Sequence, residues 1–245
     1  MIIKIRNYLF LFIRISLLFS ILTNAFIIFS GILSRENGNK PNIVLQYPDN
    51  IELIFFALIT FFLSFGSSII EKQQKINIPD IIQIFVIIFI YAGIFLSVRF
   101  RLYYTYWWWD DLLHGLSGII IGFIGFIVVY KINNNYSMNI SPLLVAIFSF
   151  TFAVTIGVIW EIFEFTVDTI FQTAMQKWDL PETEVMMGKP YQGSGLRDTM
   201  SDLILNSIGA LFTSFITYFM YKFRKEKTLN EMKKIVLNED SDNKK

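Results

Sequence analysis

The chain has 245 residues, 54% of them hydrophobic and 17% charged, with a mean hydropathy of +0.51 and a net charge of +1. An ordinary soluble domain is about 45–50% apolar and about 25% charged, so a soluble domain is disfavoured. The near-zero charge, with no basic stripe interleaved with aromatics outside the hydrophobic segments, argues against nucleic acid as a partner, and the absence of cysteine excludes disulfides, thiolate metal sites and a cysteine nucleophile.

The apolar residues, 26 phenylalanines among them, gather into six runs without charge: Ile15–Leu33, Leu53–Ile70, Ile81–Val98, Leu112–Tyr130, Pro142–Trp160 and Leu203–Tyr221. A helix needs about 18 or more such residues to cross roughly 30 Å of hydrocarbon. The reading is therefore all-α: a polytopic membrane protein built as a bundle of about six transmembrane helices, with the lipid bilayer as its first partner. Lys4 and Arg6 precede the first run, as in a signal peptide. Its apolar part is too long and no small-residue cleavage site follows closely, so it reads as an uncleaved span.

Between the runs, Ser34–Asn50 is polar, Glu71–Asp80 is a short turn, and Arg101–Trp109 is an aromatic belt (RLYYTYWWW) suited to a membrane interface. Lys131–Asn139 is a second polar turn. Gln172–Leu196 is the longest connection, with Gly193 and Gly195 as candidate hinges. The expected division is a transmembrane domain over 1–222, with a polar site in about 110–210, and a charged cytoplasmic tail over 223–245. With the N-terminus inside, the cytoplasmic segments hold 14 of the 21 lysines and arginines, eight of them from Lys222 onward. That asymmetry places both termini in the cytoplasm of a multi-pass cell-membrane protein.

Ionisable groups are scarce in the first three spans and recur in the last three, where by default they point to function. In the fourth, Asp111, His114, Gly118, Gly122 and Gly125 are spaced 3, 4, 4 and 3 apart and share one helical stripe. Gly118 and Gly122 make a GxxxG pair, which lets another helix approach closely. Ala153, Gly157, Glu161, Glu164 and Asp168 repeat the pattern in the fifth, and Asp198, Asp202, Asn206 and Gly209 in the sixth. Alternating direction brings all three clusters to one end of the bundle, the outer face under the topology above.

Packed carboxylates need counter-charge: protons, a divalent cation, or a cationic group of a ligand. Local cations are Arg197 and His114, with Arg99 and Arg101 nearby in sequence. Carboxylates and one imidazole on facing helices suit a hard or intermediate metal, so Asp111, His114, Glu161, Glu164 and Asp202 are candidate ligands of a divalent metal. Glu161 and Glu164 are the candidate catalytic pair, and Arg197, Asp198, Asn206 and Asp168 the candidate ligand-binding residues. Asp110 and Asp198 also lie where acids cap helix N-termini. That plainer role does not extend to Glu161 and Glu164, which sit near a helix C-terminus.

D-x-x-H-x-x-S-G (Asp111 to Gly118), W-E-I-F-E (Trp160 to Glu164) and D-T-M-x-D-x-x-x-N-x-x-G-A (Asp198 to Ala210) resemble, in order and spacing, the YjdF-like bacterial inner-membrane family. A looser similarity runs to VanZ-like proteins, associated with glycopeptide resistance; here Glu164 stands where a glutamine is usual. The resemblance implies a fold and a pocket more than a reaction. Three functions remain open. One is a metal-dependent enzyme acting on lipid headgroups or lipid-linked envelope intermediates. The second is a non-catalytic binder of an envelope ligand or a proton- or cation-coupled transporter, and the third a structural or partner-binding membrane protein whose polar cluster fixes helix register.

Overall fold

The computed structural model describes residues 2–36, 47–74, 78–136, 138–178 and 193–223. Regular structure among these is entirely helical, and six stretches are long and apolar enough to cross a membrane: Ile2–Ile32, Asn50–Gln73, Asp80–Arg99, Trp109–Asn133, Pro142–Phe171 and Ser194–Phe223. Four of the expected runs lie inside single helices that extend beyond them, and the second and third lie in helical stretches interrupted by a break and by a wide turn. The expected tail over 223–245 falls, Phe223 excepted, outside the described residues. Large apolar side chains such as Phe19, Phe62 and Phe215 are more than 60% exposed. Such a surface is a liability in water and the ordinary one against acyl chains.

The chain divides into two units, 1–106 and 107–230 over their described parts. In the first, α1 (Ile2–Glu36) packs against α2 (Tyr47–Leu63) and α4 (Asp80–Ile90). Phe10, Ile13 and Leu17, one stripe of α1, meet Ala57, Ile87 and Phe95 in a buried core. The second span breaks at Ser64–Phe65 before α3 (Gly66–Gln74). At the break Arg14 donates to the Ser64 hydroxyl (3.0 Å) and the Ser64 carbonyl (2.8 Å), and its guanidinium lies 3.9 Å over the Phe65 ring. The third span widens into a π-helical turn, Tyr91–Leu96, before α5 (Ser97–Arg99) and α6 (Leu102–Thr105). Wide turns shift backbone carbonyls off the usual ladder. Here the Ser97 and Tyr103 hydroxyls donate to the carbonyls of Ala92 (2.7 Å) and Gly93 (2.6 Å).

The second unit is three long helices: α7 (Trp109–Tyr136), α8 (Pro142–Phe171) and α9 (Ser194–Phe223). Helix α8 opens on an N-cap, Ser141, whose hydroxyl accepts from Leu144 N (3.3 Å), with Pro142 in the first turn where a missing N–H costs nothing. It closes on Gln172 in the left-handed conformation. The glycine stripe sets the packing of α7 on α9. A Cβ on Gly118 would sit 2.1 Å from the carbonyl oxygen of Asn206, and one on Gly209 would sit 2.2 Å from that of Gly115. The two backbones therefore touch, as small-residue stripes in membranes permit. Farther along, buried Thr213, Ser214 and Ser149 donate to the carbonyls of Ile119, Ala146 and Val145, so their hydroxyls are satisfied without ions or ligands.

Candidate functional site

The clusters meet where α7 begins, α8 ends and α9 begins. His114 is the hub. Its Nε2 lies 3.4 Å from Asp110 Oδ1 and 3.8 Å from Asp202 Oδ2, and its Nδ1 lies 3.9 Å from Glu161 Oε1. One turn of α7 separates Asp110 from His114, so the acid beside the imidazole is Asp110, at i,i+4. Asp111, which the Asp-x-x-His spacing favours, is half-buried and outside this contact set. Asp110, His114 and Asp202 each present a ligand atom within 4.8 Å of the others, and all three are buried.

Glu161, Glu164, Asp202 and Asn206 are each no more than 6% exposed. Glu164 is oriented by the Trp160 indole, whose N–H donates to it at 2.7 Å. Asn206 donates through Nδ2 to the Ser117 hydroxyl (3.1 Å). Both oxygens of Glu161, Oδ2 of Asp202 and Oδ1 of Asn206 have no hydrogen-bond partner among the described residues. Native interiors pair nearly all buried polar atoms, since an unpaired one costs about 1–3 kcal/mol. Four such atoms in the neighbourhood of one imidazole are acceptors that a proton, an ordered water or a cation would satisfy.

The segment after α8 reaches over this end. Asp168 organises it: Thr173 Oγ1 (2.6 Å) and Met175 N (2.8 Å) donate to its Oδ1, and Gln176 N (3.0 Å) to its Oδ2. Gln176 in turn donates to Thr199 Oγ1 (2.7 Å) on α9. This brings Lys177, held at a left-handed φ of 45°, onto the acids, where its ammonium bridges Asp110 Oδ2 and Asp198 Oδ1 (2.7 Å to the latter). Left-handed backbone at a non-glycine residue costs about 1–2 kcal/mol and persists where surroundings impose it. Burial pushes the Lys177 ammonium down, but the two carboxylates outweigh it and hold the group above the ordinary lysine range.

Lys177 is the cation that sequence reasoning missed. Arg197, expected to supply counter-charge, is half-buried beside Asp198 and forms none of these ion pairs. The signal for Lys177 was slight: one lysine in the longest polar connection, nine residues past Asp168. Asp168 itself spends both carboxylate oxygens on the loop. Asp168→Ala should therefore free residues 172–178, seen as faster backbone hydrogen exchange there, with α7 protection unchanged. Unaltered exchange in the loop would refute the organising role.

These features define an integral membrane protein with a buried acidic and histidine-containing group. The chain belongs to the family described as predicted membrane protein (DUF2238), which it matches over residues 15–223. An uncharacterized protein of Thermotoga maritima is 25% identical over 197 residues, covering 76% of this chain and 93% of that protein. No solved structure matches it.

Proposed function

We propose that the cluster of Asp110, His114, Glu161 and Asp202 binds one divalent cation, and that the protein is a metal-dependent enzyme acting on phosphate-bearing lipid headgroups or lipid-linked envelope intermediates. The unpartnered buried oxygens of Glu161 and Asp202 around His114 carry this reading. Three carboxylates and an imidazole form a donor set that Mg²⁺, Mn²⁺ or Zn²⁺ accepts. A bound ion there would supply Lewis acidity and an acidified water. Glu164, fixed by Trp160, is the group we assign as general base. Lys177, Asp198 and Arg197 would border an anionic headgroup.

Under the lysine and arginine count, this end faces outward and both termini are cytoplasmic, which places the pocket at headgroup level of the outer leaflet. The looser motif resemblance to VanZ-like proteins supports an envelope ligand, and the binding-only reading differs from ours solely in lacking turnover. Transport is disfavoured by the self-satisfied Thr213, Ser214 and Ser149 below the pocket, since a pathway needs polar groups open through the full depth.

Elemental mass spectrometry of the detergent-purified protein tests the reading. About one divalent ion per chain is expected in the wild type, and loss of it in Glu161→Gln/Asp202→Asn with folding retained. Absence of metal after loading with Mg²⁺, Mn²⁺ and Zn²⁺ would sink the metalloenzyme. Metal without turnover of any phospholipid or lipid-linked phosphate would leave the binding protein.

A further inference from the structure

The first unit holds a second polar site, unrelated to the acidic cluster. A cavity of about 330 Å³ opens between the start of α1, α3 and the start of α4, bordered by Arg6, Asn7, Arg14, Ser68, Glu71 and Gln83. Its charges are unevenly used. Arg6 is matched by an ion pair with Asp80. Glu71 is spent as an acceptor, taking the N–H of Ile78 (2.8 Å) and the side-chain amide of Gln83 (3.0 Å), which pins the corner between α3 and α4. Arg14 differs. Its described partners are neutral: the hydroxyl and carbonyl of Ser64 and the rings of Phe10 and Phe65.

A guanidinium in a membrane helix ordinarily faces an anion, water or backbone carbonyls, because an unmatched charge is expensive there. Arg14 stands one residue before the long uncharged run of α1, and Glu71 and Asp80 bound the neighbouring spans at the same end. The rim of the cavity at Arg6, Glu71 and Gln83 therefore lies toward one end of these spans, the end nearest a headgroup layer. Its polar lining offers donors in two guanidinium groups and the side chains of Asn7 and Ser68, the Gln83 amide being spent on Glu71 and the Ile78 carbonyl, and arginine matches phosphate oxygens in paired geometry. We propose that this cavity is a binding site for a phosphate group, with Arg14 as its principal charge and Arg6 and Ser68 as flanking donors. The phosphate comes either from the headgroup of an anionic lipid or from a free anion.

Native mass spectrometry of the full chain, released from bilayers of phosphatidylglycerol in phosphatidylcholine, tests the lipid source. Thermal unfolding in zwitterionic detergent with added inorganic phosphate tests the free anion. We expect retention of phosphatidylglycerol, or protection by phosphate, to fall roughly tenfold or more in Arg14→Gln, the loss expected for one charge-assisted hydrogen bond. Ser68→Leu, an exposed position that blocks the cavity and keeps both arginines, should do the same even if Arg14→Gln folds poorly. Lys222→Gln, an exposed basic residue at the end of α9, should have no effect. Lipid retention that follows this pattern assigns the headgroup, and protection by phosphate alone assigns the free anion. Neither effect in the wild type, or equal retention in all variants, overturns the site.

Discussion

Gly118→Leu will unfold the second unit at markedly lower temperature or detergent stress, while Gly115→Ala, three residues away on the same helix, will leave it nearly unchanged. At Gly118 a Cβ meets only backbone: Asn206 O at 2.1 Å and Ala210 N at 3.0 Å. Backbone cannot rotate aside, so α7 and α9 must part. Parting stretches the contact of Asn206 with Ser117 (3.1 Å) and of Thr213 with Ile119 (3.0 Å), and draws Asp202 away from His114. Overpacking typically costs about 1–3 kcal/mol, and a rigid obstacle places this substitution at about 3 kcal/mol or more. A Cβ at Gly115 meets nothing within 4 Å, and alanine gains roughly 1 kcal/mol of helix propensity over glycine. Unfolding in an SDS titration, followed by tryptophan fluorescence, separates the two. Similar midpoints for both variants would show that α7 and α9 are not in backbone contact.

Lys177→Met should have two effects of opposite sign. Stability falls, because Asp110 and Asp198 lose their shared partner; breaking one side of a largely buried pair costs about 3 kcal/mol, toward the lower edge of the usual range since Lys177 keeps 14% of its side chain exposed. Divalent-ion occupancy rises, because a competing cation has left Asp110, one of the four proposed ligands. Asp198→Asn in the same background should recover part of the loss, with a coupling of about 1–3 kcal/mol between the two positions. A double-mutant cycle by SDS titration measures the first effect, and elemental analysis of both single variants the second. Additive losses would remove Lys177 as the clamp, and falling metal content would make it a supporting residue of the ion site.

Much of the site was legible because a helix repeats. Small residues and acids at three- and four-residue spacings marked the faces of α7, α8 and α9 that are buried, and alternation of direction put their polar ends together. The same arithmetic has a resolution of about one residue. Asp110 and Asp111 are about 100° apart around α7, and the sequence favoured the one three residues before His114 where the structure pairs the one four before. Lys177 was illegible for a different reason. Its place depends on Asp168 gathering three donors and on two left-handed residues, Gln172 and Lys177, which no periodicity encodes. The π-helical turn at Tyr91–Leu96 was hidden likewise, since its composition is that of any apolar helix.

The shallow position of the cluster has an electrical consequence. His114 stands five residues into α7, roughly 7–8 Å along the helix axis, and the acids that face it lie at the same end of α8 and α9. A full crossing of the membrane by one charge exchanges about 2.3 kcal/mol for each 100 mV of potential. An ion entering this pocket from its own side traverses a small part of that field, so its occupancy should hardly vary between an energised cell and a depolarised vesicle.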